Sequence, residues 1–308
     1  MTRRELLAGF GAAGLYGLVG GDPVPAASGG RFEISLAQWS LHRTLFAGDL
    51  DPLDFPRTAR ELGIGGVEYV NQFFKDRAED RSFLAELQRR CESEGVESLI
   101  LMVDGEGRLG APADAERREA VVRHRKWLEA GAFLGCHSVR VNVHSEGGFQ
   151  EQQNLVVDGL SRLVEVGDEI GIDVIVENHG GLSSHGAWLA GVLRRVDHPR
   201  CGSLPDFGNF GTFGGFDFNR GAAPYDRYRG VEELMPWARG VSAKSYSFDA
   251  EGREEGIDYW RMMRIVLAAG YGGWVGIEYG GGPHPELEGI RLTRALLERV
   301  GGELASSV

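Results

Sequence analysis

One local pattern recurs along the 308-residue chain and limits what it can become: an amphipathic stretch of helical spacing, a glycine-containing turn, then a β-rich run. It occurs at residues 60–63 before 66–70, at 91–95 before 96–101, at 133–135 before 138–143 and at 169–171 before 172–176. It returns at 238–240 before 241–245 and at 269–273 before 275–279. Glycine just past a helix end supplies a left-handed cap, and a strand can then start at once. With residues 32–37 as the first run and 201–204 as the sixth, eight β-runs result, followed by a last helix from about 285 to 300. Eight βα units without a linker read as a single (β/α)8 TIM barrel over residues 29–308. The alternative is a doubly wound open sheet, which more often carries five or six strands.

Alternation within the runs says which side chains face inward. Val139, Val141 and Val143 share one face of their strand, while Arg140, Asn142 and His144 share the other. In the last run Val275, Ile277 and Tyr279 alternate with Gly276, Glu278 and Gly280. The apolar face is expected to pack on helices and the polar face to line the barrel towards its mouth.

Four segments then place polar groups at strand ends. They are Val174-Ile-Val-Glu-Asn-His-Gly180, Ser203-Leu-Pro-Asp-Phe-Gly-Asn209, Val241-Ser-Ala-Lys-Ser245 and Val275-Gly-Ile-Glu-Tyr279. Each apolar run delivers one of Glu177, Asp206, Lys244 or Glu278 at its C-terminal end. In a parallel barrel those ends converge, and three carboxylates in one cleft call for a cation, a proton or both. Aromatic residues, Trp39, Phe73, Phe74, Trp188, Tyr246, Phe248 and Tyr279 among them, fall at or after strand ends. They could stack on a sugar ring or pack the loop bases.

The N-terminus differs in kind. Thr2-Arg3-Arg4-Glu5-Leu6-Leu7 precedes a mildly apolar, Gly/Ala-rich run and then Pro23-Val-Pro-Ala-Ala-Ser28. Paired arginines, a weak hydrophobic region and small residues predict a cleavable twin-arginine signal over residues 1–28, hence a periplasmic or otherwise exported protein. The run is too short and Gly-rich to span a bilayer, so no membrane span is expected after its removal. A net charge of −12 with no local basic cluster argues against nucleic acid as partner. Cys91, Cys136 and Cys201 sit in or beside apolar segments and read as core residues.

From about residue 32 to 300 the chain resembles the xylose-isomerase-like barrels, the superfamily of sugar isomerases, ketose 3-epimerases and an abasic-site endonuclease. The resemblance is carried by Glu177-Asn-His-Gly-Gly181, Asp206-Phe-Gly-Asn209, Ser242-Ala-Lys-Ser245 and Glu278. It implies one divalent metal held by Glu177, Asp206 and Glu278, with Glu177 and Glu278 exchanging the substrate proton. At the fourth ligand position, on the seventh strand, Ser242 stands where the epimerases carry histidine, and Asn209 stands where a histidine often follows the Asp. An oxygen-only site suits Mn²⁺ or Mg²⁺ better than Zn²⁺ or Co²⁺. Lys244 shares the face of Ser242 and could stand in for part of a metal's charge, which leaves a metal-free site built around Lys244 as the alternative.

These readings predict an isomerase or epimerase of a sugar or keto-sugar working through an enediolate. Glu177, Glu278 and Lys244 are its catalytic candidates, and Glu177, Asp206, Glu278 and Ser242 its metal ligands. Arg140, Asn142, His144, His179, Asn209 and Trp39 are the candidate substrate contacts. The same enolate could expel a β-substituent, giving a lyase or hydrolase acting on 3-keto-glycosides, and a sugar-binding barrel without catalysis is the non-enzymatic rival. The expected partner is a small carbohydrate, with a homo-oligomer left open.

Overall fold

The computed structural model describes residues 32–213, 216–217 and 224–306, so the export signal expected over residues 1–28 lies outside the described residues. The eight predicted runs are strands: β1 Glu33–Ala37, β2 Gly66–Val70, β3 Glu97–Val103, β4 Ser138–Val141, β5 Asp173–Glu177, β6 Cys201–Leu204, β7 Val241–Ser245 and β8 Trp274–Tyr279. All neighbouring pairs are parallel, in the order β6-β5-β4-β3-β2-β1-β8-β7. Each strand thus lies beside its chain neighbour, and β1 lies beside β8, as in a TIM barrel and unlike an open doubly wound sheet.

The ladder thins between β6 and β7, where Pro205 has no N–H to donate. Closure there rests on single contacts: Arg239 N donates to Ser203 O at 3.0 Å, Ser242 N to Pro205 O at 2.9 Å and Phe207 N to Ser242 O at 3.0 Å. This irregular seam carries Asp206. A two-residue antiparallel hairpin, Thr212–Phe213 with Phe216–Asp217, follows it.

Helices α1 His42–Ala47 and α2 Phe55–Glu61 follow β1. Then α3 Arg81–Glu94, α4 Asp114–Leu134, α5 Phe149–Ile170, α6 Gly186–Val196, α7 Arg227–Leu234 and α8 Tyr259–Ala268 follow β2 to β7 in turn, and α9 Glu286–Ser306 follows β8. Gly135 (φ 83°) and Gly171 (φ 90°) cap α4 and α5 in the left-handed region, as the recurring motif predicts. Gly240 has a different reason. It follows a short 3-10 turn, and a Cβ there would come within 2.9 Å of Ile100 and Leu204 side chains. Helix α9 runs six residues past the expected end at 300, because Val300 and Leu304 remain buried.

The strands separate two cores. Outward, Val139, Val141, Val174, Val176, Val275 and Ile277 join the layer beneath the helices. Inward, a small cluster of Ala37, Val70, Ile100, Met102, Ile175 and Leu204 shares the barrel with buried polar side chains. The three cysteines are buried and unpaired, as expected of core residues. Among the described residues no helix is long and apolar enough to cross a membrane.

Candidate active site

The inward polar residues gather at the C-terminal ends of β4 to β8, where alternation places them. Glu177 ends β5, Asp206 lies two residues past β6, Ser242 and Lys244 project from β7, and Glu278 comes from β8. One oxygen from each of Glu177, Asp206 and Glu278 lies within 4.8 Å of the others. All three residues are buried, Asp206 completely.

Every carboxylate has its own protein partners. Asn209 Nδ2 donates to Glu177 Oε1 at 2.9 Å, and Arg140 Nε forms an ion pair with Glu177 Oε2 at 2.9 Å, outside hydrogen-bond alignment. The backbone N–H groups of Gly208 and Asn209 donate to Asp206 Oδ1 at 2.7 and 2.8 Å. Ser242 Oγ sits between two carboxylates, 2.7 Å from Asp206 Oδ2 and 3.0 Å from Glu278 Oε2. Lys244 Nζ pairs with Glu278 Oε1.

These surroundings push the two glutamates apart. Burial raises the Glu177 carboxyl well above the usual range, against the pull of Arg140. Burial acts on Glu278 too, but Lys244 and Arg140 outweigh it and hold that carboxyl below its ordinary value. Asp206 is pushed up by burial to about 6, with Lys244 opposing. Burial, then Arg140 and Lys244, push His179 down to about 3, so its imidazole is neutral at physiological pH.

The mouth opens into a cavity of about 570 Å³. Arg140, Asn142, His144, His179, Lys244 and Glu278 line it, together with Trp39 and Tyr246. Asn209 is fully buried and outside that wall, where it holds Glu177. Four of the other aromatic candidates go elsewhere, since Phe74, Trp188, Phe248 and Tyr279 are buried in the outer core. Asp104, just past β3, escaped the sequence reading although it repeats the apolar-run-to-carboxylate signature. It accepts from Arg140 Nη1 at 2.7 Å and Asn142 Nδ2 at 2.6 Å, and so fixes both side chains. Glu68, inside the barrel beneath the site, was also missed. Ser35 Oγ donates to it at 2.7 Å, and a Cβ on Gly276 would stand 2.3 Å from its Oε1. Glycine at 276 is what leaves it room.

The donor set fits a hard divalent cation. Three converging carboxylates supply oxygen ligands, and the Ser242 hydroxyl lies between two of them, whereas among the described residues no imidazole is grouped with the cluster. Lys244 on Glu278 already supplies part of the positive charge.

A closed (β/α)8 barrel with a carboxylate cluster at the C-terminal mouth defines the class. The chain belongs to the xylose isomerase-like TIM barrel family, whose family model matches residues 56–299. No curated protein matches the chain. Among solved structures it is similar to a 3-keto-D-glucoside 4-epimerase from E. coli, at 14% identity over 87% of this chain and 99% of that one, with a TM-score of 0.64. A probable 3-DHS dehydratase from Bacillus anthracis aligns at 15% identity over 86% and 98%, also with a TM-score of 0.64. An IolI protein with a bound zinc atom aligns at 12% identity over 88% and 98%, with a TM-score of 0.66. At these identities the structural likeness speaks to the fold.

Proposed function

We propose that this protein is a divalent-metal-dependent isomerase or epimerase of a sugar or keto-sugar, with Mn²⁺ or Mg²⁺ as the metal. The observation that carries the reading is the approach of Glu177 and Glu278, from non-adjacent strands, to the same few ångströms as Asp206. Glu177, Asp206 and Glu278 would hold the cation, with Ser242 beside it, and the cation when bound supplies Lewis-acid stabilisation of an enediolate. Glu278, paired with Lys244, and Glu177, held by Asn209, would share the proton transfer, one taking the proton from the carbon beside the carbonyl and the other returning one to the enediolate. Asn209 fixes one Glu177 oxygen, so that carboxyl keeps its orientation. Lys244 and neutral His179 offer donors to substrate oxygens in the cavity.

A second reading keeps the same base. If the enolate carries a β-substituent, its loss gives a lyase on 3-keto-glycosides, and a dehydratase and a keto-glucoside epimerase among the similar structures favour keeping it. The paired Arg3 and Arg4 support export and a periplasmic site of action. The test is solvent proton exchange. Ketoses, aldoses and 3-keto-glycosides are incubated in D₂O with Mn²⁺ and the protein, then read by NMR. Deuterium at one carbon beside a carbonyl is the expected result, with a released aglycone marking the lyase. No exchange and no release in any sugar of the set would sink the proposal.

A further inference from the structure

The cavity has two unlike flanks. Towards β3 to β5 it is polar, with Asp104, Arg140, Asn142 and His179 in the wall. On the opposite side Trp39 and His42 line it, and the aromatic surface continues outward from them. The Trp39 and His42 rings are stacked, with centroids 4.9 Å apart and planes at 11°. Phe46 sets its edge against Trp39 at 6.1 Å, and Phe73 lies 6.2 Å from Trp39 and 5.0 Å from Phe46. Phe46 is 58% exposed, while Trp39 and Phe73 are half-buried.

The platform is braced from below. Glu286 of α9 is buried and accepts hydrogen bonds from the backbone N–H of Arg43 at 2.7 Å and of Thr44 at 3.1 Å. His42 Nδ1 sits 2.8 Å from Trp39 O. A buried carboxylate thus fixes the short helix that presents Phe46, which keeps an apolar ring in water at a set position. The cavity volume falls in the range of about 300–1,000 Å³ that holds drug-sized ligands.

We propose that this aromatic flank is a subsite for the flat apolar aglycone of a glycoside. The sugar lies over the carboxylates and the aglycone packs into the corner formed by the inclined rings of Trp39, Phe46 and Phe73. The substrate class is then a keto-glycoside with an aryl or similarly flat aglycone, whose ring carbonyl the proposed enediolate chemistry requires. The proposal rests on the reading of the cavity as a sugar site. Continuity decides the occupant, because Trp39 and His42 belong to both the cavity wall and the platform.

Calorimetric titration with matched methyl and phenyl pyranosides of the gluco, galacto and xylo series tests it. Phenyl glycosides of at least one series are expected to bind about tenfold more tightly than their methyl counterparts. Phe46→Ala and Phe73→Ala are expected to erase that difference and leave methyl-glycoside affinity unchanged. Phe46→Leu, which keeps apolar bulk without a ring, is expected to restore only part of it. Equal affinities, no binding in any series, or a preference that survives both alanine variants would overturn the subsite. A phenyl preference without solvent proton exchange would leave the subsite standing and sink the catalytic proposal. Exchange without the preference would do the reverse.

Discussion

On β4, Val139 and Val141 look outward into the helix layer, while Arg140 between them looks into the barrel at Asp104 and Glu177. The same contrast holds on β8, where Ile277 packs outward and its neighbour Glu278 meets Lys244 and Ser242. The outward face gains free energy on folding, about 1.5–3 kcal/mol for each fully buried large apolar side chain. The inward face gives some of it back, since each buried ion costs several kcal/mol unless its partners are well placed. One face makes the fold, and the other gathers the buried charged groups on which the proposed proton transfer rests. Substitutions on opposite faces of one strand should therefore separate stability from turnover.

The largest expected effect is on the inward face. Glu177→Gln keeps the volume and the Asn209 contact but removes the exchangeable proton. Formation of the epimerised or isomerised product should fall by about 10²–10⁴-fold, with an unfolding midpoint no lower than that of the natural chain. A variant that still forms product at the parent rate would take Glu177 out of the mechanism. On the outward face Ile277→Ala should cost about 2–5 kcal/mol in denaturant unfolding and leave exchange per folded molecule unchanged. A large loss of turnover in that variant would break the division of labour between the faces.

Glu68 sharpens the comparison because it is inward and buried yet outside the carboxylate cluster. Burial raises it from 4.5 to about 7, the Ser35 hydrogen bond opposing. The folded state then binds the proton more tightly than the unfolded chain. The natural protein should lose stability as pH rises from about 4.5 to about 7, by up to roughly 3 kcal/mol, and hold level above that. Glu68→Gln should match the natural protein below pH 4.5 and exceed it increasingly towards pH 7. Chemical unfolding across that range reads the effect, and parallel curves for the two proteins would refute it.

Much of the site was legible because strand alternation and strand ends are local properties. An apolar run that stops at a carboxylate is enough to place Glu177, Asp206 and Glu278 at the barrel mouth. Asp104 bears the same signature one residue past β3, but nothing local to its own run announces its partners Arg140 and Asn142, which come from β4 and the residue after it. Glu68 lay within a run whose only distinguishing mark was polar alternation, and Gly276, which makes room for it, is 208 positions away in the chain. Asn209 illustrates another limit. Its place in the sequence suggested a residue facing substrate, and its side chain instead points to Glu177 because the turn after Asp206 folds back through the Gly208 and Asn209 N–H groups.

The sequence by itself determined the number of βα units, the glycine-capped helix ends, the inward face of each strand and the three converging carboxylates. Those follow from periods of two and 3.6 residues and from backbone conformations that only a few residue types accept readily. Tertiary structure alone decided how charge is shared: Lys244 on Glu278, Arg140 between Asp104 and Glu177, and Ser242 between two carboxylates. It also gathered Trp39, Phe46 and Phe73 into one surface. Such contacts depend on which strands become neighbours when the barrel closes, and no local periodicity carries that distance.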